Sequence, residues 1–432
     1  MPYLAFAARS RRLRRTLLAG CAAASVACLP QRARAQGAVP AEAAKPWAPP
    51  TSLGDWASTI KYGGQIDAGL VVNPQDPANG ANFGQLFTDK ANHPILNQLL
   101  LTMERDTDPK ATSYDVGFKL QGLYGSDARI VHSLGLFDRA IGDRNQFDIL
   151  EANVTLHTPW LSEGGVDIKA GIYPTPLGFE LIDPKSNAFY SHSYIFNYGL
   201  PYKHLGALAT WHATGLVDLY LGIDTGTNTT FGSGDNNGRP GGIFGFGLNM
   251  LGGDLTVLAL SHAGPEDSTL NTPFGNSAMR YYNDLIVTWK ARPDLALTAE
   301  LNYVREDGFH AEGYGAAFYA AYTLSDTLTL NGRAEAWRDS GNFFVNNPAG
   351  PLDYVRGERG LPANFYVAQR PTTYSELTAG LNYKPSGLPA PIGSLMLRPE
   401  IRYDRALNNS RPFDAGRDRG SVTLAADAVL GF

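Results

Sequence analysis

The chain has 432 residues, among them 47 glycines and 21 tyrosines, and only 18% of its residues are charged. It contains no run of 18 or more apolar residues, which excludes a helical membrane span. Beyond the N-terminal region no helical period is sustained, so the composition favours one large all-β unit over two or three soluble domains.

The first 35 residues resemble an export signal. A basic segment ends at Arg15, an apolar segment covers 16–29 and an A-x-A cleavage site follows at 33–35. We therefore expect a signal peptide over 1–35 and a flexible, Ala/Pro-rich periplasmic lead over 36–58. Its removal takes away both cysteines and seven arginines, which leaves 29 of the 36 basic residues against 41 acidic ones. The resulting charge of about −12 disfavours nucleic acid as a partner.

From residue 59 onward, apolar and polar side chains alternate in one segment after another. The third segment shows the contrast, with the apolar residues Tyr114, Val116, Phe118 and Leu120 against the polar residues Ser113, Asp115, Lys119 and Gln121. Two-faced strands of this kind line membrane barrels, which turn the apolar face to lipid. Sixteen such segments can be counted. We predict an all-β fold, a transmembrane antiparallel β-barrel of about 16 strands (14 to 18), over residues 59–432.

The last segment, 421–432, is also two-faced and ends in an aromatic residue. Val422, Leu424 and Leu430 share one parity, and Ser421 and Asp427 lie on the other. A soluble domain would have to cover this apolar face with a core, whereas a membrane barrel places it against lipid. A final strand that ends in Phe432 resembles the recognition signal of the barrel assembly machinery, so we expect that machinery as a partner.

Charged residues concentrate on one parity of the late strands. A basic side chain near the bilayer midplane costs about 2–4 kcal/mol, so the row from Arg398 to Asp404 cannot face lipid. These side chains need water or one another, and a barrel of this size can enclose a water-filled lumen. The pore-lining candidates are Asp67, Asp115, Lys119, Glu151, Lys169, Arg333, Glu335, Arg398, Glu400, Arg402 and Asp404.

Short and long connections alternate along the chain. The long ones are predicted near 73–94, 174–201, 226–241 and 339–371, where they would be extracellular or folded inward. Structureless loops of this length are usually functional or disordered. The segment 174–202 is rich in rings and charges, so it could fold into the lumen as a constriction. An interfacial girdle with ordinary loop packing is the alternative. The constriction-loop candidates are Glu180, Asp183, Lys185, Phe189, Tyr190, Tyr194 and Phe196.

Catalytic and metal-binding patterns receive little support. The chain has no G-x-S-x-G, H-E-x-x-H or phosphate-loop motif. His204 and His212 are the one close histidine pair, but strand rise separates them by about 26 Å, too far to share a metal ion. Residues 235–238 could bind calcium through oxygen ligands, although their residue types are also those of an ordinary turn, which we prefer. The sequence therefore predicts no enzyme, no cofactor and no metal site.

Several short motifs occur in a consistent order. They are 64–68 (GQIDA), 96–98 (LNQ), 124–128 (YGSDA), Gly171 with Thr175, Gly178 and Glu180, Pro201 with His204 and Gly206, and 235–237 (DNN). In these residues the chain resembles the OmpL-like β-barrel porins of Gram-negative bacteria, although Leu205 stands where we expect a small polar residue. The resemblance covers most of the chain after the signal peptide and implies an outer-membrane channel, without a substrate.

The sequence thus predicts an outer-membrane porin, a passive diffusion channel for small hydrophilic solutes, in which an excess of inward acids favours cations. We expect export through the periplasm, contacts with outer-membrane lipid and lipopolysaccharide, and a barrel closed within one chain, with a homotrimer as an open alternative. Two other functions are kept. One is an outer-membrane barrel enzyme that acts on lipid or peptide, and the other is a soluble secreted β protein that binds carbohydrate.

Overall fold

The computed structural model describes residues 52–108, 113–138, 142–271 and 274–432. The predicted signal peptide and residues 36–51 of the predicted lead lie outside these residues. Within the described ranges, no helix is long and apolar enough to cross a membrane.

Strands make up most of the described chain. They are β1 (Lys61–Val72), β2 (Pro94–Arg105), β3 (Asp115–Gly125), β4 (Gln146–Thr158), β5 (Val166–Pro174), β6 (Lys203–His212), β7 (Val217–Thr227), β8 (Gly241–Met250), β9 (Leu255–Pro265), β10 (Met279–Arg292), β11 (Leu295–Glu306), β12 (Ala311–Ser325), β13 (Leu328–Asp339), β14 (Asn346–Pro348), β15 (Phe365–Val367), β16 (Thr372–Tyr383), β17 (Ser394–Ala406) and β18 (Gly420–Gly431). Helical segments are short. They are α1 (Leu53–Ser58), α2 (Asp353–Glu358), a π-helix (Ile195–Gly199) and the single turns Asp127–Arg129, Pro184–Ser186, Gly232–Gly234, Leu251–Gly253 and Asp414–Gly416.

Sixteen of the described strands form one closed antiparallel barrel. Each strand pairs with its neighbours in the chain, except that β14 and β15 form a separate hairpin between β13 and β16. β1 pairs with β18 and closes the ring. The predicted fold and the count of about 16 strands are confirmed. Closure leaves no strand edge unpaired, as a barrel in lipid requires.

The last residue of the sequence extends the pairing across the seam between the first and last strands by one position. Gly64 N–H donates to Phe432 O and Phe432 N–H donates to Gly64 O, each at 2.9 Å. The Phe432 ring lies against Gly64 and leaves no space there for a side chain. A glycine at this position therefore lets the ring cover the seam.

The two faces of the strands follow the predicted alternation. Outward side chains such as Tyr62, Leu120 and Leu424 are exposed around the wall, Tyr62 to 75%. Inward side chains such as Gln65 and Asp427 are buried. The alternation holds because lipid outside and polar groups inside act on opposite faces of every strand.

A β-bulge breaks this alternation in β4. Gln121 pairs with Glu151 but Gly122 pairs with Ile149, so Leu150 has no residue opposite it. The extra residue reverses the parity of the strand beyond it. Leu150 accordingly points inward and is 1% exposed, although strict alternation would place it on the lipid face with Val154, which is 51% exposed.

The last six residues of the predicted lead form the helix α1. The Ser52 hydroxyl caps the helix and accepts a hydrogen bond from Asp55 N–H at 3.1 Å. Trp56 anchors it to the outer wall, because its Nε1–H donates to Val116 O at 3.2 Å and its ring lies 6.0 Å from that of Phe118. Aromatic side chains favour this boundary region of membrane barrels.

Connections alternate in length around the barrel, as predicted. At one end they are short, for example 159–165, 213–216 and 293–294. At the other end most are long, and the four predicted long connections run over 73–93, 175–202, 228–240 and 340–371. Both chain ends of the barrel lie at the short-loop end, because the number of strands is even.

Candidate functional site: the barrel interior

One long connection crosses the barrel. Residues 175–202, called the inward loop below, join β5 to β6 and reach the inward face of β13. β13 lies eight strands from β5 in either direction around the ring, so it forms the opposite wall. On that wall the Glu335 carboxylate accepts hydrogen bonds from the backbone N–H groups of Tyr194 (2.6 Å) and Ile195 (2.8 Å).

The charged row on β17 binds the inward loop beside this contact. Glu400 accepts hydrogen bonds from the N–H groups of Tyr190 (2.8 Å) and Ser191 (3.2 Å). Arg402 donates from Nη1 to His192 O at 2.6 Å. Acids on the wall thus meet backbone donors, and an arginine meets a backbone acceptor.

Arg398, at the other end of the same row, holds an earlier part of the loop. Its Nη1 donates to the carbonyl oxygens of Pro184 (2.8 Å) and Asn187 (3.0 Å). Its Nε donates to Asp427 on β18 at 3.0 Å. This arginine therefore links the loop and two wall strands at once.

A buried ion network lies between these two anchors. Arg333 Nη1 lies 2.7 Å from Glu180 Oε1, and Arg333 Nε lies 2.9 Å from Glu376 Oε2. The Phe189 ring packs 5.0 Å from the guanidinium carbon of Arg333. His192 Nδ1 lies 2.7 Å from Glu180 Oε2, so a single carboxylate of the loop joins an arginine of the wall to a histidine of the loop.

The environment of Glu180 keeps it ionised. Burial alone would raise the pKa of Glu180, but Arg333 and the hydrogen bond from His192 hold it down to about 2. Burial lowers the pKa of the His192 imidazole below its usual range. A neutral imidazole that donates from Nδ1–H to a charged carboxylate fits both shifts.

The start of the inward loop is held by a different arc of the wall. Asp284 on β10 accepts from Gly178 N–H at 3.0 Å, and Glu300 on β11 accepts from Phe179 N–H at 2.9 Å. Four wall acids therefore fix the loop through its backbone.

The π-helix ends where the loop backbone touches the wall. Asn302 Nδ2 donates to Gly199 O at 3.2 Å. A methyl group on Gly199 would lie 2.8 Å from Trp337 Cη2 and closer still to Asn302. Glycine is needed here because the backbone approaches these side chains so closely.

The late pore-lining candidates lie where the alternation places them, but not in open water. Each of them is at most 7% exposed: Arg333, Glu335, Arg398, Glu400, Arg402 and Asp404. Asp67 is 3% exposed. The sequence predicted that these side chains need water or one another, and the structure adds a third partner, the backbone of the inward loop. Backbone groups of a loop inside a barrel need partners, and these side chains supply them.

The early candidates occupy the opposite side of the interior. Lys119 on β3 is 30% exposed, and its Nζ lies 2.8 Å from Glu151 Oε1 and 3.7 Å from Glu104 Oε2. Lys169 on β5 is also half-buried. Asp115 is buried in an ion pair with β2. The half-exposed charges of the interior therefore include Glu104, Lys119 and Lys169 near β2–β5.

The constriction-loop candidates divide between the core of the interior and its margin. The buried ones are Glu180, Phe189, Tyr190, Tyr194 and Phe196. Asp183 is half-buried and accepts from Gln65 Nε2 at 2.8 Å, while Lys185 is exposed.

Other long loops also enter the interior, which is one of the two positions that the sequence left open for them. In loop 73–93 the Phe87 ring lies 5.0 Å from that of His192 and 5.4 Å from that of Phe196. The same loop contacts loop 340–371, since Asn347 Oδ1 accepts from Gly84 N–H at 2.7 Å. The sequence signal for this position was the presence of two phenylalanines, Phe83 and Phe87, in a mostly polar loop that contains glycine.

Residues 235–238 form a turn. Asp235 Oδ1 accepts from the N–H groups of Asn237 (3.0 Å) and Gly238 (2.6 Å). Asn237 Nδ2 donates to Pro265 O at 2.7 Å. This local bonding is the backbone role in which Asp and Asn favour turns.

Comparisons of this chain with known protein families and solved structures agree with the barrel architecture. A family described as "Putative beta-barrel porin-2, OmpL-like" matches residues 59–432. The chain is similar in structure to the anion-selective porin from Comamonas acidovorans (11% identity, TM-score 0.54, covering 86% of this chain and 99% of that one). It is also similar to the outer membrane channel DcaP of Acinetobacter baumannii (12%, 0.52, 86% and 97%) and to OmpT of Vibrio cholerae in its trimer form (11%, 0.51, 87% and 99%). The chain matches no curated protein sequence. At these identities the structural likeness shows the fold alone.

Proposed function

Because the chain belongs to the OmpL-like beta-barrel porin-2 family, we propose that it is a narrow, charge-selective diffusion channel for small hydrophilic solutes. As an outer-membrane porin it places an apolar band against lipid and polar groups inside. The closed ring satisfies the backbone in the bilayer. The passage of solutes would depend on the width of the lumen that the inward loop leaves open.

The observation that carries this proposal is the fixed inward loop. It starts from β5 and is bound on the far wall by the carboxylates of Glu335 and Glu400. A loop bound across the lumen narrows the lumen while the ring of strands around it stays intact. Pore width and lining charges are what set selectivity in channels of this kind.

The half-exposed charges on the side of β2–β5 are the proposed selectivity residues. Lys119 pairs with the acids Glu104 and Glu151, and Lys169 lies on β5 opposite Thr155 of β4. Charges within a Debye length of about 8 Å act on the same passing ion at physiological salt. The excess of acids in the chain favours cations.

Reversal potentials in a salt gradient test this assignment. Lys119→Gln with Lys169→Gln should raise the ratio of cation to anion permeability, and Glu104→Gln with Glu151→Gln should lower it. The two double variants change charge by equal and opposite amounts, so each serves as the control for the other. Unchanged ratios in both would remove these residues from the conducting path.

The remaining partners follow from the same proposal. We propose export through the periplasm, contact with outer-membrane lipid and lipopolysaccharide, and recognition of the Phe432 end by the barrel assembly machinery. A homotrimer is supported by the trimer form of the similar OmpT of Vibrio cholerae. We propose no catalytic activity, since the family is one of porins and two of the similar structures are a channel and a porin.

A further inference from the structure

Three side chains on neighbouring strands meet in the wall near the long-loop end. They are His204 on β6, Asp224 on β7 and His262 on β9, and their possible ligand atoms lie within 4.8 Å of one another. His204 Nδ1 lies 3.3 Å from Asp224 Oδ2, and His262 Nε2 lies 3.0 Å from Asp224 Oδ1. All three side chains are 0% exposed.

The hydrogen bonding of this cluster is incomplete. His204 Nε2 lies 3.2 Å from Thr175 Oγ1, which can accept its proton. When His204 carries its proton on Nε2, its Nδ1 and Asp224 Oδ2 face each other 3.3 Å apart as two acceptors, and neither has a hydrogen bond among the described residues. Buried polar atoms without partners are rare and costly. A cation between these two atoms would satisfy both.

A second pair of atoms beside the cluster is in the same condition. His262 Nδ1 lies 3.7 Å from Glu266 Oε1, and both lack a hydrogen bond within the described chain. If His262 Nε2 bound a cation, the ring would carry its proton on Nδ1 and could donate it to Glu266. Metal-bound histidines usually donate their second N–H to a carboxylate, carbonyl or water in this way.

Space for an ion comes from a glycine on the strand between β7 and β9. A methyl group on Gly241 would lie 2.6 Å from His262 Nε2 and 2.8 Å from Asp224 Oδ1. Any larger residue would therefore fill the gap between these ligands. Because Gly241 has no side chain, Asp224 on β7 and His262 on β9 can approach each other across β8.

We propose that His204 Nδ1, the Asp224 carboxylate and His262 Nε2 bind a divalent first-row transition-metal ion, of which Zn²⁺ is the type. Zinc binds imidazole and carboxylate at about 2.0–2.2 Å, which sets tetrahedral ligand atoms about 3.3 Å apart. The separations of 3.0 and 3.3 Å, each from a different oxygen of Asp224, are close to this value, and all the possible ligand atoms lie within 4.8 Å of one another. Two imidazoles and one carboxylate suit zinc, copper, iron or nickel better than calcium or magnesium.

The ion would be structural. The three ligands tie β6 to β9, and His204 contacts Thr175, the first residue of the inward loop. The complete burial of the ligands means that the ion enters while the barrel folds. Metal content should therefore be measured after refolding as well as after purification.

The test uses the untagged protein, purified from membranes in detergent, stripped with EDTA in urea and refolded with ZnCl₂. The refolded protein should hold about one zinc ion per chain by mass spectrometry of the metal. CoCl₂ in its place should give visible absorption bands of bound Co²⁺. Asp224→Asn and His262→Gln should weaken zinc binding at least about tenfold, and Glu266→Gln, which changes an outer contact, by about tenfold.

His212→Gln is the matched control, because His212 pairs with Asp167 and Asp218 at the short-loop end of the barrel. It should hold as much zinc as the native chain. A heat-modifiable gel shift identifies the folded fraction of each variant, and metal is counted in that fraction. If the native protein holds no zinc and shows no Co²⁺ bands, the proposal is overturned. This result does not depend on whether the variants fold. Equal zinc in Asp224→Asn, His262→Gln and His212→Gln overturns it as well, since the ion would then lie elsewhere.

Discussion

Replacing Glu335 with alanine should release the inward loop. Its carboxylate accepts the backbone N–H groups of Tyr194 and Ile195, and the residue is only 5% exposed. Alanine would leave two buried donors without acceptors, each at a cost of about 1–3 kcal/mol. The docked state should lose about 2–6 kcal/mol. Even the lower value raises the ratio of released to docked loop about 30-fold.

Single-channel recording in planar bilayers measures this release. Glu335→Ala should show a larger mean conductance and more frequent transitions than the native protein, and Glu335→Gln, which keeps one acceptor, should be intermediate. Asp115→Ala is the control, because it also removes a buried inward acid, but one that pairs with Arg105 of β2 rather than with the loop. Equal effects of Glu335→Ala and Asp115→Ala would refute the argument from loop docking.

Three further outcomes are expected. Leu120→Arg should cost about 2–4 kcal/mol of folding free energy in lipid, measured by urea titration, while Gln121→Arg should not, because only Leu120 faces hydrocarbon; equal costs would contradict the register of β3. Gly199→Ala should displace the π-helix from Trp337 and Asn302, and loop cleavage by added protease should increase; native-like resistance would show that the contact tolerates a methyl group. Since the pKa of Glu180 is lowered from 4.5 to about 2, its contribution to loop docking is complete above pH 4.5 and is lost as pH falls toward 2. The frequency of current fluctuations through the channel should rise over that pH range in the native protein but not in Glu180→Gln. Identical pH profiles of the two proteins would show that Glu180 does not contribute to loop docking.

The sequence predicted the barrel because its environment acts on every strand alike. Lipid on one side requires apolar residues at Tyr62, Leu120 and Leu424, whatever their distant neighbours are. The same rule predicted correctly that the charges of β17 face inward. It could not predict that Arg398 and Arg402 meet backbone oxygens of another segment.

Two kinds of feature escaped the sequence for geometric reasons. Leu150 is turned inward by a bulge, and one extra residue in a strand leaves no sign in composition. His204, Asp224 and His262 meet only because β6, β7 and β9 lie close together around the ring, with a glycine between β7 and β9. Spacing along the chain singled out His204 and His212 as the candidate pair, but these two histidines lie at opposite ends of β6.

Solute entry into liposomes tests the central claim most directly. Vesicles that contain the purified native protein are diluted into isotonic solutions of uncharged sugars of increasing size, and swelling is followed by light scattering. Passive diffusion through a lumen narrowed by the inward loop predicts fast swelling with the smallest sugars and a steep fall as size increases. Swelling no faster than that of protein-free vesicles with every sugar would contradict a diffusion channel.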